Sequence, residues 1–397
     1  MALLFVDGFD WWDNSFINSL IGAKYSLASI PGTAQGQTLG GRFGGQSFFI
    51  FNTGFDHADF YVPVANTQVS CGLAIKLNNG AKSVFYAIKN NTVGIVALAL
   101  DGSNNLLVYS GGTATNGSPG TLLKTITAPF SNSVFNYLEL FIIVNGVNST
   151  LEIWLDDNPL LQMGPSAPDG VVNLGSLAPD RAGFRWESLG SSGIIVDDLY
   201  VADGSGGHNN ARLGPCRVMT LPPSSDRVLA GWTPNIIGPD FQMLYEFPGG
   251  NFHAGIPDQD TTYLSGSAGA SDLYGFAAFS CVGLVLGVAV NAVAKGASPV
   301  ALALECSPDP GNVPVQTVAS VAPPASGAVY AALQAITETD LFSGAVNWTD
   351  GDVAHAEWGI GLTSGTNVHV TQFTLEKLVT LRNVPFSCGG SQASYSF

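Results

Sequence analysis

The chain has 397 residues, of which 48 are Gly and 22 are Pro, and only 11% are charged. With 14 Lys and Arg against 30 Asp and Glu, its net charge is −16 and no basic run occurs, so the electrostatic footprint of a nucleic-acid binder is missing. That length allows two cores, and a surface so poor in charge must be covered by Ser, Thr, Asn and Gly, which suits turn-rich β-structure better than long surface helices.

The opening, Ala2 to Phe9, reads as a strand that runs into an aromatic cluster of Phe9, Trp11, Trp12 and Phe16. The first residues carry no basic region and too short an apolar run for a signal peptide. Tyr25 to Ile30 is a short strand stopped by Pro31-Gly32, and Gly40 to Phe51 is a turn followed by an apolar strand. Strands at Thr67 to Leu77 and Ser83 to Ile88 flank Asn78-Asn79-Gly80, which predicts a hairpin. Val93 to Ala99 and Leu106 to Tyr109 form a second pair across Asp101-Gly102-Ser103. Tyr137 to Val144 is the most apolar strand of the first half. In Leu151 to Leu155 the alternation puts Leu151, Ile153 and Leu155 inside and Glu152, Trp154 and Asp156 outside.

Ala182 to Glu187 leads to the closing strand, Ile194 to Val201, in which Asp197 and Asp198 are adjacent. Gly204, Ser205, Gly206 and Gly207 cannot continue a strand and read as an exposed link. The expected organisation is a first domain over 1–203, a Gly-rich linker over 204–215, and a second domain over 216–397 that includes a C-terminal tail.

In the second half, strands are expected at Phe241 to Phe247, Thr261 to Leu264, Leu273 to Val293, Val300 to Cys306 and Val313 to Val321. Ala328 to Ile336 reads as a strand or a short helix. Leu273 to Ala294 carries no charge and so mimics a membrane span, but Val282, Leu284, Leu286, Val288 and Val290 alternate with a period of two, which a transmembrane helix has no reason to show. The opposite face of that strand, with Gly283, Gly287 and Ala289, leaves room for another layer. Thr349 and Asp352 make a capping-box-like start for one two-turn helix, Asp350 to Ala356. Trp358 to Leu362 and His369 to Leu381 return to strand. Tyr395 and Phe397 in the tail have no place in either core pattern; they either bury against a neighbouring subunit or belong to a tail without fixed structure. The whole reads as all-β: two antiparallel β-sandwich, jelly-roll-like domains with one short helix in the second.

Three runs, Y-L-E-L-F-I-I-V-N-G, L-E-I-W-L-D-D and I-V-D-D-L-Y-V, resemble the concanavalin A-like or laminin G-like jelly roll. Over nearly its full length the chain also resembles a class of tailed-bacteriophage virion proteins. The residues that carry this likeness are an opening G-F-D, the run D-D-L-Y-V-A-D-G-S-G-G-H-N-N-A-R-L-G-P-C-R-V, and N-W-T-D-G-D-V-A-H-A-E-W-G-I-G. The resemblance implies a virion structural part, such as a tail, fibre or capsid-surface appendage, assembled in the host cytoplasm. The partners it implies are other virion proteins, further copies of the chain, and a host surface glycan; it implies neither nucleic acid nor membrane insertion. A glycan-binding adhesin module and a jelly-roll glycoside hydrolase are the two alternatives.

The residues that bear on those alternatives are few. A retaining hydrolase needs two carboxylates about 5 to 5.5 Å apart, and Glu152 with Asp156 is the nearest pattern, although Trp154 stands between them. Asp197 and Asp198 evoke a calcium site, but adjacent strand residues enter one coordination shell only across a bulge. Trp11, Trp12 and Trp154 are the aromatic faces on which a sugar could stack. The histidines, His57, His208, His253, His355 and His369, lack ligand spacing, and the run G-S-G-G-H-N lacks the third glycine of a dinucleotide loop. No catalytic, metal or cofactor site is therefore assigned, and no cofactor is expected. The five cysteines, Cys71, Cys216, Cys281, Cys306 and Cys388, stand singly and are expected to be free thiols.

Overall fold

A computed structural model describes residues 2–10, 24–25, 27–29, 35–43, 45–52, 57–77, 83–113, 118–131, 133–188, 192–209, 211–236, 238–244, 262–276, 283–296, 300–308, 315–323, 330–343 and 347–381. Its contacts divide the chain into two compact units, one of residues 1–9 and 25–216, the other of 10–24 and 217–397.

The first unit contains β1 (Ala2–Asp7), β2 (Leu27–Ser29), β3 (Gln35–Gly40), β4 (Gln46–Asn52), β5 (His57–Pro63), β6 (Gln68–Leu77), β7 (Ser83–Asn90), β8 (Val93–Leu100), β9 (Leu106–Ser110), β10 (Thr121–Ile126), β11 (Asn136–Ile143), β12 (Thr150–Leu155), β13 (Asn158–Met163), β14 (Arg181–Ser188) and β15 (Ser192–Asp203). One sheet runs β13-β12-β11-β6-β15-β4-β3, with β1 also on β15; the other runs β10-β9-β8-β7-β14-β5-β2. Every pairing is antiparallel.

Aromatic rings join the two sheets. Phe48 of one meets Phe60 of the other edge-on at 5.2 Å, and Phe60 stacks on Phe184 at 4.4 Å. Phe9 also enters this cluster. The expected cluster partners Trp11, Trp12 and Phe16 lie outside the described residues.

The alternation predicted for β12 holds, with Leu151, Ile153 and Leu155 buried. So does the β8–β9 hairpin. The hairpin expected across Asn78-Asn79-Gly80 is not formed. β6 pairs with β11 and β15, whereas β7 pairs with β8 and β14 in the other sheet. The triplet, itself outside the described residues, thus joins two sheets rather than two neighbours. Turn chemistry reports that the chain reverses, not that the flanking strands share a ladder.

The second unit contains β16 (Cys216–Leu221), β17 (Pro223–Ala230), β18 (Thr233–Pro234), α1 (Asp240–Met243), β19 (Leu264–Gly266), β20 (Ser271–Phe276), β21 (Val285–Gly296), β22 (Ala301–Ser307), β23 (Gln316–Val321), β24 (Ala331–Thr337), α2 (Asp350–His355), β25 (Glu357–Ser364) and β26 (Val368–Thr380). One sheet is β18-β19-β26-β21-β24 with β16 on β26, and the other is β17-β20-β25-β22-β23. Tyr274 and Phe276 of the second pack on Phe373 of the first, at 5.8 and 5.9 Å, within a core that includes Val288, Val290, Leu302, Leu304, Trp358 and Ile360.

The Ala331–Thr337 segment is strand, which settles the choice between strand and helix. α2 has the capping box: the Thr349 hydroxyl accepts from the Asp352 backbone N–H, and the Asp352 carboxylate accepts from the Thr349 N–H. Phe241, expected to open a strand, lies instead in α1, because the Asp226 carboxylate accepts the Asp240 and Phe241 N–H groups and so caps a helical turn. α1 thus joins α2 as a short helix where one was expected. The apolar run from Leu273 supplies two strands in different sheets, β20 and β21. The small-residue face of β21 is not free: Ala289, Asn291 and Val293 are all buried within the chain. No helix among the described residues is long and apolar enough to cross a membrane.

Candidate functional site

The strand β15 shows where the sequence candidates of the first unit go. One edge of β15 pairs with β6; its other edge pairs with β4 over 192–196 and with β1 over 199–203. At the changeover the register slips between Asp197 and Tyr200, and Asp198 has φ of 51°. The bulge that a shared coordination shell requires is therefore present, but a cation of the chain itself sits there. The Arg42 N–H donates to Asp197 Oδ2 at 2.8 Å, and its Nη1 lies 3.4 Å from Asp198 Oδ2 and donates to the Cys216 carbonyl at 3.0 Å. Among the described residues no group of three or more His, Cys, Asp and Glu is placed to hold a metal ion.

Trp154 is spoken for in the same way. Its indole Nε1 donates to Glu152 Oε2 at 3.0 Å, and the Arg212 guanidinium lies 4.0 Å over its ring. Arg212 also pairs with Glu139 and Asp157. Glu139, fully buried, accepts from the Tyr200 hydroxyl at 2.9 Å and the Gly214 N–H at 2.8 Å. Burial pushes the Glu139 carboxyl upward, against the pull of Arg212. Gly72 faces this cluster across the sheet, and a Cβ there would come within 2.3 Å of the Tyr200 ring. The segment read as a linker thus contributes Arg212 and Gly214 to the first unit, and the Gly204 N–H bonds the Gln68 carbonyl.

Asp156 does not partner Glu152 for acid–base work. Its carboxylate accepts the Tyr137 N–H at 2.8 Å and the Asn136 amide at 2.9 Å, which fixes the β12–β13 turn.

In the second unit two carboxylates are buried together. Asp240 hydrogen-bonds Asp272, which also accepts from the Ala230 N–H at 2.7 Å and lies 3.3 Å from the Tyr274 hydroxyl. Burial, the bond to Asp272 and the charges of Asp272 and Asp226 raise Asp240 to about 7. No Lys or Arg pairs with either carboxylate among the described residues.

The remaining candidate lies on the other sheet of this unit. Thr233 of β18 stands opposite Ser265 of β19, Ser265 opposite His369 of β26, and His369 opposite Lys295 of β21. Ala294 pairs with Ala331, so Tyr330 comes next in the row, 4.6 Å beneath the Lys295 ammonium. Tyr263 stacks flat on His369, with ring centroids 4.0 Å apart and planes 11° off parallel. At the Thr233 end the row opens into a groove of about 400 Å³, lined by Gly231, Thr233, residues 265–270 and Asn367. Gly266 lets the turn lie against Trp232, because a Cβ there would meet the indole at 2.7 Å. The side chains of Thr233, Ser267 and Asn367 are exposed and make no hydrogen bond among the described residues.

Of the described histidines, His369 alone enters this arrangement. His57 is on β5, His208 is exposed, His355 lies 2.6 Å from the Gly351 carbonyl on α2, and His253 is outside the described residues. Trp11 and Trp12 are outside them too. Cys71, Cys216 and Cys306 are free and buried, and burial pushes the Cys306 thiol up. Cys281 and Cys388 lie outside the described residues.

No protein-family model matches the chain, and no curated protein matches it either. Several solved structures are similar at low scores. Domain 4 of the arabinanase AbnA from Geobacillus stearothermophilus is 13% identical with a TM-score of 0.29, covering 51% of this chain and 92% of that one. The galectin LEC-6 of Caenorhabditis elegans is 11% identical with a TM-score of 0.25, over 36% and 89%. The tandem CBM22 domains of Paenibacillus barcinonensis Xyn10C are 9% identical with a TM-score of 0.24, over 95% and 97%. Scores of this size carry no argument about function, which rests on the residues above.

Proposed function

We propose that the chain is a non-catalytic structural part of a tailed-phage virion, an appendage whose β-sandwich surface contacts host glycan. The observation that carries the non-catalytic reading is the fate of the one acid pair the sequence offered: Asp156 is committed to a turn and Glu152 to an indole. The virion assignment is supported by the sequence likeness in the opening, the β15 run and the α2 region. The glycan contact is supported by a half-buried aromatic ring beside exposed polar side chains in the second unit. Mass spectrometry of purified particles of a tailed phage that encodes the chain tests the assignment. The protein is expected at a copy number typical of structural components; its absence from particles would refute the virion reading. Release of reducing sugar from host polysaccharide, abolished by Glu152→Gln, would refute the non-catalytic one.

A further inference from the structure

The lateral row on the second unit has a geometry suited to one class of ligand. Its members stand directly opposite one another on adjacent strands, so they repeat at the strand spacing of about 4.8 Å. A linear chain laid across the strands would therefore meet one side chain per strand. Thr233 is exposed, and Ser265, His369 and Lys295 are half-buried. The chemistry changes along the row. The Tyr263 and His369 rings lie flat against each other, half-buried, and two residues along from Tyr263, about 7 Å by strand rise, Ser265 enters the groove. There the exposed hydroxyls of Thr233 and Ser267 and the Asn367 amide supply both donors and acceptors. A ring with hydroxyls at its edge and C–H bonds on its face answers both demands, whereas an apolar ligand would leave the groove's polar groups unpaired.

We infer that the Tyr263–His369 stack and the adjoining groove form a saccharide subsite, in which a glycan chain crosses the strands of this sheet. The inference rests on the glycan-contact part of the proposed function and gives it a location.

The test is binding of the full chain to immobilised tetra- to hexasaccharides of glucose, mannose, galactose and their N-acetylamino derivatives, with Tyr263→Ala and Asn367→Gly compared with the parent. Asn367 has φ of 54°, a left-handed conformation glycine adopts freely, so Asn367→Gly removes the amide while keeping the backbone. Leu122→Ala, an exposed change in the first unit, is the control. Expected is saccharide binding that weakens more than tenfold with Tyr263→Ala and about tenfold with Asn367→Gly, with unfolding midpoints near the parent for Asn367→Gly and with Leu122→Ala unchanged. Binding that survives both variants would overturn the site while leaving a glycan-contacting virion part intact. Binding to none of the saccharides, by a chain that is present in particles, would overturn the site and the glycan contact but not the virion assignment. Binding through the groove by a chain that particles lack would keep the site and overturn the virion assignment.

Discussion

Two buried carboxylate clusters, one in each unit, are satisfied by opposite means. In the first, Glu139 is matched by Arg212, Tyr200 and the Gly214 N–H, Asp198 by the Arg42 guanidinium, and Asp197 by the Arg42 backbone N–H. In the second, Asp240 and Asp272 meet without a basic partner among the described residues, and burial together with the neighbouring carboxylates raises Asp240 toward its protonated form. Two carboxylates in such contact cannot both ionise cheaply. Arg212 pulls the Glu139 carboxyl down against burial, whereas no cation offsets burial at Asp240.

Breaking the first arrangement should have the largest effect. Arg212→Met leaves Glu139 buried without its counter-charge, and chemical denaturation should show the first unit destabilised by about 3 to 5 kcal/mol. A loss under 1 kcal/mol would mean that Tyr200 and Gly214 suffice. Crowding the same cluster comes next. Gly72→Ala drives a methyl into the Tyr137 and Tyr200 rings and should cost about 1 to 3 kcal/mol in the same measurement.

The second arrangement is sharpened by pH. The folded-state value of Asp240, about 7, lies above the ordinary 3.8, so between those values the folded state holds more protons than the unfolded one. Stability of the second unit should therefore fall as pH rises from about 4 to 7 and flatten above 7. The steepest contribution from one such group is about 1.4 kcal/mol per pH unit. Asp240→Asn should remove that slope, and a slope unchanged in the variant would disprove the raised Asp240 value. The smallest effect belongs to a site with ordinary solvent-exposed charge: Thr349→Ala removes the α2 cap and should cost about 1 kcal/mol in thermal unfolding of the second unit.

The α2 cap was legible in the sequence because its parts, Thr349 and Asp352, are three residues apart. The alternation of β12 was legible for the same local reason. What the sequence hid is long-range. Asn78-Asn79-Gly80 announces a reversal but not the destination of the strands on either side. Arg212 looked like linker because nothing nearby shows that Glu139, 73 positions earlier, waits for it. Asp198 looked unable to join Asp197 because alternation assumes an unbroken ladder, and the break arises where β4 and β1 share one edge of β15. The candidate subsite was the least visible: Thr233, Ser265, Lys295 and His369 come from four strands, and each alone is an ordinary polar residue. Leu284, just before β21, is exposed while Val285 is buried, so the period of two read from Val282 onward did not mark the inside correctly at the strand's start.

β15 has a consequence for how the chain is made. It is the last strand of the first unit in sequence, yet it lies inside its sheet, bonded to β6 on one edge and to β4 and β1 on the other. As the chain leaves the ribosome, β1 emerges well before its one strand partner among the described residues, which is almost two hundred positions away. Until β15 arrives, three strands hold edges open to other nascent chains, and pairings of such sequence separation form slowly. Protein production should therefore respond to conditions that slow release of residues 192–203, even where the finished molecule is indifferent to them.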